Sequence, residues 1–262
     1  MRAEFPGLQE ECVAFQLSFA QQRLWLVEQL DKRSSLAYLL STGVRLIGCL
    51  DEAAVSRALD HIVARHEVLR TGFIVDEDDA PLQYVAAANI GLPLQHASLG
   101  GTDPDAEVRR RTQEEASTPF DLAHPPLIRA RLLRISDQDH VLLVTMHHIV
   151  SDGWSMGVLI REFGALYSAF AQGQPDPLPP LPIQYADFAV WQRRWLEGAV
   201  LQRQLQFWTE HLQGAPALLE LPTDRPRPPV QDFAGDIVGF ELDAELSSQL
   251  KALAQRHGAT LF

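Results

Sequence analysis

The 262-residue sequence predicts an α/β (α+β) fold, with a mixed, largely antiparallel sheet packed against helices. Three observations lead there. Segments with apolar residues at steps of three and four alternate with pairs of short apolar runs. The links inside those pairs have the polar composition of tight connections between antiparallel strands. No fixed period recurs along the chain, which argues against a solenoid or propeller.

Taken in order, Phe19, Leu24, Leu26, Val27 and Leu30 form a rough helical stripe, opened by Ser18 as an N-cap. "STGVRLIGCL" then reads as a short strand. Asp51 caps a second helix, whose Val55, Leu59, Ile62, His66 and Leu69 recur at steps of four and three, with Leu50 and Val55 placed as a hydrophobic staple. Thr71-Gly72 stops it, and "GFIV" and "LQYVA" flank the acidic "DEDDAP" as a hairpin with a solvated turn. A third helix covers Asp105 to Ser117, with Arg109, Arg110 and Arg111 exposed. "LIRARLLRI" and "HVLLVTMHH" pair across Ser136-Asp137-Gln138-Asp139, and the second run is so apolar that it belongs at the centre of the sheet, covered on both faces. From Ser155 the period changes, and Met156, Leu159, Phe163, Leu166 or Tyr167, and Phe170 make an amphipathic helix. "QGQPDPLPPLP" is a Pro-rich connector. Beyond it comes a long helical stretch with Trp191, Trp195 and Trp208, broken near Gly198; Trp191, like Trp25, is expected in the core. "PTDRPRPPVQDFAG" is an extended crossover, "DIVGFELD" a strand and "AELSSQLKALAQRHG" a helix.

Composition narrows the function classes. A net charge of −12 lacks the basic footprint of a nucleic-acid binder, and disfavours an anionic membrane as well. Cys12 and Cys49 cannot form a metal cluster by themselves and do not suggest a disulfide framework, which fits a reducing cytosol. No apolar run approaches the roughly 20 residues of a membrane span. The start, "MRAEFPGLQEE", lacks the apolar centre of a signal peptide, so the expectation is a cytoplasmic protein.

The stretch that carries chemistry is "MHHIVSDGWS", residues 146 to 155, at the passage from the central strand into a helix. A metal site fits poorly. His147 and His148 are neighbours on a strand and point to opposite faces, and no HExxH, CxxC or carboxylate cluster supplies further ligands. A nucleophile elbow is the second reading, since Gly153-Trp154-Ser155-Met156-Gly157 matches G-x-S-x-G, with Asp187 or Asp224 and His211 or His257 in the right chain order. An elbow should follow its strand directly, however, whereas Ile149 to Asp152 intervene, and no HGGG-type stretch is visible. Ser155 reads rather as the cap of its helix. The plainest reading makes both histidines satisfied core residues and Asp152-Gly153 a turn. Alternation argues for more: it sends one histidine toward a cleft while the other packs, with Asp152 bracing the strand end and Gly153 permitting a backbone angle closed to other residues.

"HHIVSDG" resembles the HHxxxDG motif of the condensation domains of nonribosomal peptide synthetases, in the chloramphenicol-acetyltransferase-like superfamily. "LSFAQQRLWLVEQL" (17 to 30), "RHEVLRTGF" (65 to 73) and "YADFAVWQ" (185 to 192) resemble the family's first, second and fourth motifs in order, and "PFDL" (119 to 122) the segment before its central strand. The resemblance implies a chloramphenicol-acetyltransferase-like two-layer sandwich, in which two lobes form a V around a tunnel. On that pattern residues 1–175 are the N-terminal lobe, 176–236 the connector and crossover, and 237–262 the start of a truncated second lobe.

The implied activity is amide formation: the amine of a carrier-bound aminoacyl acceptor attacks a donor acyl thioester. Both would arrive on phosphopantetheine arms of carrier proteins, with no cofactor bound by the domain itself. By carry-over His148 acts at the reacting amine, as general base or by positioning it. An α-amino group of pKa about 8 is already partly neutral, so the main demand is for taking the proton the nitrogen gains as it attacks. His147 packs on the other face, Gly153 allows the close turn, and Trp154 and Ser155 are candidate substrate contacts. Asp152 is expected to pair with Arg70, Arg65 or Arg23, although Arg65 and Arg70 could also merely cover apolar surface with their stems. Tyr185, Asp187 and Gln192 match a motif without a derivable role. "DGWS" and "AQQRLW" look like the type joining two L-configured residues. If Met1 is a native start, the donor comes in trans or as an acyl-CoA, which makes a starter domain N-acylating the first amino acid the runner-up; epimerisation domains share the histidine motif. A G-x-S-x-G serine hydrolase and a non-catalytic lobe that docks carrier proteins complete the alternatives.

Overall fold

The computed structural model describes residues 13–100, 103–226, 228–230, 233 and 238–261. Its strands are β1 (Ala14–Gln16), β2 (Leu39–Ile47), β3 (Thr71–Val75), β4 (Pro81–Val85), β5 (Leu94–Ser98), β6 (Ile128–Ser136) and β7 (Asp139–His147). Its α-helices are α1 (Phe19–Leu30), α2 (Glu52–Arg65), α3 (Pro104–Ala116), α4 (Gly153–Ala171), α5 (Tyr185–Trp195), α6 (Gly198–His211) and α7 (Ala244–Arg256). Two compact units divide the chain at Pro226, with α7 in the second.

The hairpin read at residues 136–139 is the centre of a four-stranded sheet of order β2-β7-β6-β5. β7 pairs antiparallel with β2 and β6, and β5 joins β6 in parallel. The second hairpin sits in a separate three-stranded antiparallel sheet, β1-β4-β3. Two strands went unread, the three-residue β1 and β5, whose "LQHAS" has too few apolar residues to show a period.

Both faces of β7 are covered, as its composition required. Leu142, Val144 and Met146 join Ile128, Ala130 and Leu132 of β6 under α2 and α4, where Val55, Leu59, Ile62, Leu159, Phe163 and Leu166 complete the main core. On the opposite face Leu133, Val141 and Leu143 form a smaller cluster with Val108 of α3. Burying each such Val or Leu side chain contributes about 1.5–3 kcal/mol, so the strand that leads into the motif is strongly held.

Helix starts follow side-chain caps. Ser18 and Gln21 close a capping box on α1, and Asp51 accepts from Ala54 N–H at the head of α2. α4 begins two residues earlier than Ser155, because Asp152 and not Ser155 is its N-cap. The break near Gly198 is present, with that residue at φ +52°, a left-handed conformation that glycine adopts without Cβ strain. Arg109 and Arg110 are exposed, while Arg111 is half-buried and paired with Glu107 and Glu114.

Two expectations need correction. Trp191 is not core: it is 53% exposed and stacks on Trp195, because helical spacing identifies a face without identifying what covers it. Trp25 is half-buried against the main core. "DIVGFELD" forms no strand over its described residues Val238–Asp243, where no neighbouring strand among the described residues supplies a ladder; residues 236 and 237 lie outside the described ones, as does Cys12.

The first and fourth sequence motifs meet in space. Ser18 Oγ and Tyr185 OH are 3.0 Å apart, Phe19 N–H donates to Gln192 Oε1 at 3.0 Å, and Asp187 caps its own helix by accepting from Gln184 N–H. Gln184 Nε2 also donates to Arg65 O, and its Oε1 accepts from Glu67 N–H, so the head of α5 fastens the end of α2.

Candidate active site

Strand alternation separates the two histidines as sequence parity requires. His147, the last residue of β7, is 1% exposed, while His148 lies one residue beyond the strand and is exposed. The register that sets Leu39 opposite His147 brings Tyr38 alongside. Tyr38 O accepts from His148 N–H at 2.7 Å, and the two rings meet edge to face with centroids 6.4 Å apart. The backbone of His148 is thus fixed while its imidazole remains accessible.

The buried ring is fixed differently. Ile149 N–H donates to His147 Nδ1 at 3.1 Å, and Val150 N–H to His147 O at 3.1 Å, which bends the chain sharply after the strand. Burial lowers the pKa of His147 to about 4, with the neighbouring His148 adding to the effect, so His147 stays neutral at physiological pH. Glu28, on the inward stripe of α1 with Gln21 and Leu24, faces it across 3.8 Å. Sequence reasoning missed Glu28 and Tyr38. The signal for Glu28 was a charged residue four positions after Leu24, on a stripe otherwise directed inward.

Among the described residues Asp152 pairs with no arginine. Its Oδ1 accepts from Ser155 N–H at 2.8 Å and from Ser155 Oγ–H at 2.6 Å. The Ser155 hydroxyl, then its N–H, hold the carboxyl below its ordinary value against partial burial, and His148 adds to the lowering. The physical reason is local: a carboxylate at an N-cap meets unpaired helix N–H groups and the positive end of the helix dipole, and needs no distant cation. The expected arginines are occupied elsewhere. Arg70 donates to Ala86 O and Ala64 O and approaches Glu67, tying the end of α2 to the end of β4. Arg65 pairs with Glu162 of α4, which also accepts from His66 Nε2–H at 2.6 Å, and Arg23 is exposed.

Gly153 also departs from expectation. It is the first residue of α4, does not occupy the left-handed region, and a Cβ there would meet nothing within 4 Å. The chain turns at residues 147–150 through the His147 bonds instead, which leaves Gly153 without a steric task in this conformation. Trp154 is 81% exposed on the first turn of α4. With Ser155 it borders a cavity of about 190 Å³ between α2 and α4, lined also by Ile62, Leu69, Met146 and Val150; neither motif histidine lines it. Ser155 spends its hydroxyl proton on Asp152, and no hydrogen bond joins it to a histidine among the described residues, so the arrangement lacks the nucleophile-to-base contact of a serine hydrolase.

An exposed imidazole on a fixed backbone, beside a helix N-terminus and backed by a buried neutral ring, can accept a proton at a bound nucleophile. A family model described as a condensation domain matches residues 13–262. The chain belongs to the condensation-domain family. Among similar sequences, malpibaldin synthetase of Mortierella alpina is 48% identical over 248 residues, which cover 94% of this condensation domain and 4% of that synthetase. Malpinin synthetase of the same organism is 44% identical over 247 residues, 94% of this chain and 3% of the relative. Among solved structures, the first condensation domain of the CDA synthetase matches with a TM-score of 0.77 at 26% identity, over 95% of this chain and 59% of that one. The X-domain from teicoplanin biosynthesis matches with a TM-score of 0.77 at 31% identity, over 97% of this chain and 55% of that one. This condensation-domain chain therefore spans a small part of the synthetases it resembles and somewhat over half of those solved domains. No described helix is long and apolar enough to cross a membrane.

Proposed function

We propose that the chain acts within a nonribosomal peptide synthetase condensation domain, forming an amide bond between a donor acyl thioester and the amine of an aminoacyl acceptor held on a carrier protein. The observation that carries this reading is the exposed His148, its backbone held by Tyr38 O at the end of a buried strand, in the position of the second motif histidine. As the acceptor nitrogen attacks the thioester carbonyl, the C–N bond forms and nitrogen gains positive charge. The His148 imidazole takes that proton or orients the amine, and the carrier thiolate leaves and is protonated. His147, Asp152 and the Tyr38 carbonyl hold the turn on which His148 stands. Arg65 and Arg70 support it at one remove, by fastening α2 to α4 and to β4. Trp154 and Ser155 flank the approach as substrate contacts.

Both substrates are proposed to be borne on phosphopantetheine, so that the domain needs no cofactor of its own and its partners are carrier proteins; acyl-CoA replaces the donor carrier if the domain is a starter. A cytoplasmic location is proposed on the same family reading. The test is a pair of substitutions in the full-length protein, assayed with loaded carriers. His148→Ala is expected to abolish or strongly reduce amide formation, and Ser155→Ala to leave most of it; the reverse pattern rejects condensation in favour of a serine nucleophile. A second reading draws on the teicoplanin X-domain, a neighbour solved in complex with OxyB. If this chain is likewise a docking module, it binds partner proteins while turnover is absent in the unsubstituted protein.

A further inference from the structure

A buried carboxylate and a buried imidazole face one another behind the site without a hydrogen bond between them. Glu28 is 3% exposed and His147 1%, and Glu28 Oε2 and His147 Nε2 each lack a hydrogen-bond partner among the described residues. Because His147 Nδ1 accepts from Ile149 N–H, the proton of the neutral ring resides on Nε2, the atom aimed at Glu28. The 3.8 Å separation is too long for a hydrogen bond, and a neutral ring makes no ion pair. Donor and acceptor are nevertheless matched in type and direction, and both are desolvated, so a side-chain rotation that closes the gap removes two unsatisfied buried atoms at once. Lys32 Nζ, 3.7 Å from Glu28 Oε1, holds the carboxylate's other oxygen.

This pair is wired to the exposed histidine twice. Through His147 it reaches the Ile149 and Val150 amides that shape the turn bearing His148. Through the chain it reaches Tyr38, at the end of the short 3-10 segment Lys32–Tyr38 that follows α1, whose carbonyl holds His148 N–H and whose ring lies 6.5 Å from that of His147. We propose that Glu28 is a positioning residue for His148: its carboxylate takes the His147 Nε2–H, and the oriented ring fixes the turn from which His148 meets the reacting amine. The proposal rests on the assignment of His148 to that amine. A carboxylate that sets the tautomer and orientation of an imidazole acts on catalysis by geometry; at metal-bound histidines loss of such a partner costs about 10- to 100-fold, and an effect of the same order is expected here.

Glu28→Leu removes the acceptor, whereas Glu28→Gln keeps an oxygen at the same reach. In the full-length protein, Glu28→Leu is expected to lower kcat by about 10- to 100-fold with KM for both loaded carriers unchanged, and Glu28→Gln to restore most of the rate. A folded Glu28→Leu protein with undiminished kcat, or equal impairment of both variants, overturns the proposal. His148→Ala, measured alongside, separates the levels: if it is inactive while Glu28→Leu is not, only the Glu28 role falls, and if it is fully active, the His148 assignment falls as well. Nitrogen-15 spectra of the histidine-labelled unsubstituted protein give a readout that needs no variant. They are expected to show His147 protonated at Nε2 with a hydrogen-bonded, downfield proton; a ring protonated at Nδ1 overturns the pairing.

Discussion

At the scale of single residues, the motif divides its labour by where each side chain finds partners. Asp152 is a cap, so Asp152→Ala is expected to destabilise the fold by about 1 kcal/mol, while Asp152→Asn, which retains an acceptor oxygen, loses less; thermal unfolding at neutral pH measures both. The direction of its titration follows. With the folded pKa below 3.8, its contribution is complete above 3.8 and is lost as pH falls through the lowered value. His147 behaves in the opposite chemical sense with the same outcome. Its ring stays neutral in the fold down to about pH 4 but protonates near 6.5 when unfolded, so protons bind the unfolded chain first. Stability is full above 6.5 and falls by about 3 kcal/mol on the way to pH 4. Glu28, whose pKa is raised by burial against the pull of Lys32, opposes part of that trend, with Asp121 adding to the raise and His148 already weighing on His147. The clean comparison is therefore the difference between the unsubstituted protein and His147→Asn, measured by denaturant unfolding across that range. A difference that does not change with pH would contradict the burial of a neutral ring.

At the scale of elements, Gly72 shows how a small residue can set the packing of a strand. A Cβ added there would lie 2.4 Å from Tyr84 Cε1, directly across the β3–β4 pair, and Tyr84 OH donates to Ala123 O at 2.8 Å. Gly72→Ala must displace that ring and stretch its bond to the segment before β6, and is expected to cost about 1–3 kcal/mol, read as a lowered unfolding midpoint. Elements of this kind were legible to different degrees. Ser18, Asp51 and the apolar run of β7 announced their helix starts and their central strand, because caps and periods are local properties of the chain. Asp152 was visible as a brace but not as a cap, since a carboxylate can seek either an arginine or its own helix and only the fold ranks the two. Trp191 was misplaced for the complementary reason: its spacing is helical, but its cover belongs to no local rule.

At the scale of the whole molecule, the segment after the Pro-rich connector belongs with the lobe that precedes it. α5 is held by Ser18, Phe19, Arg65 and Glu67, and Arg193 donates to Leu17 O while stacking on Phe19. At about 1 kcal/mol per bond, a 1–175 fragment is expected to unfold about 10 °C or more below a 1–226 fragment, as differential scanning calorimetry would register; equal midpoints would place the boundary at the connector. The layered fold was readable because hydrophobic periods declare which faces are buried. Glu28 opposite His147 was not, because that contact joins an early helix to a late strand and no short-range pattern encodes it. The nine rungs that pair β2 with β7 run without a shift from Ile47 and Asp139 to Leu39 and His147. Side chains on such a ladder alternate between two sides, so the site counts residues modulo two. One residue gained or lost within β7 would send His148 inward and bring its neighbour to the exposed face, whereas a change of two would restore the order, and length variation in this strand is therefore restricted to even steps.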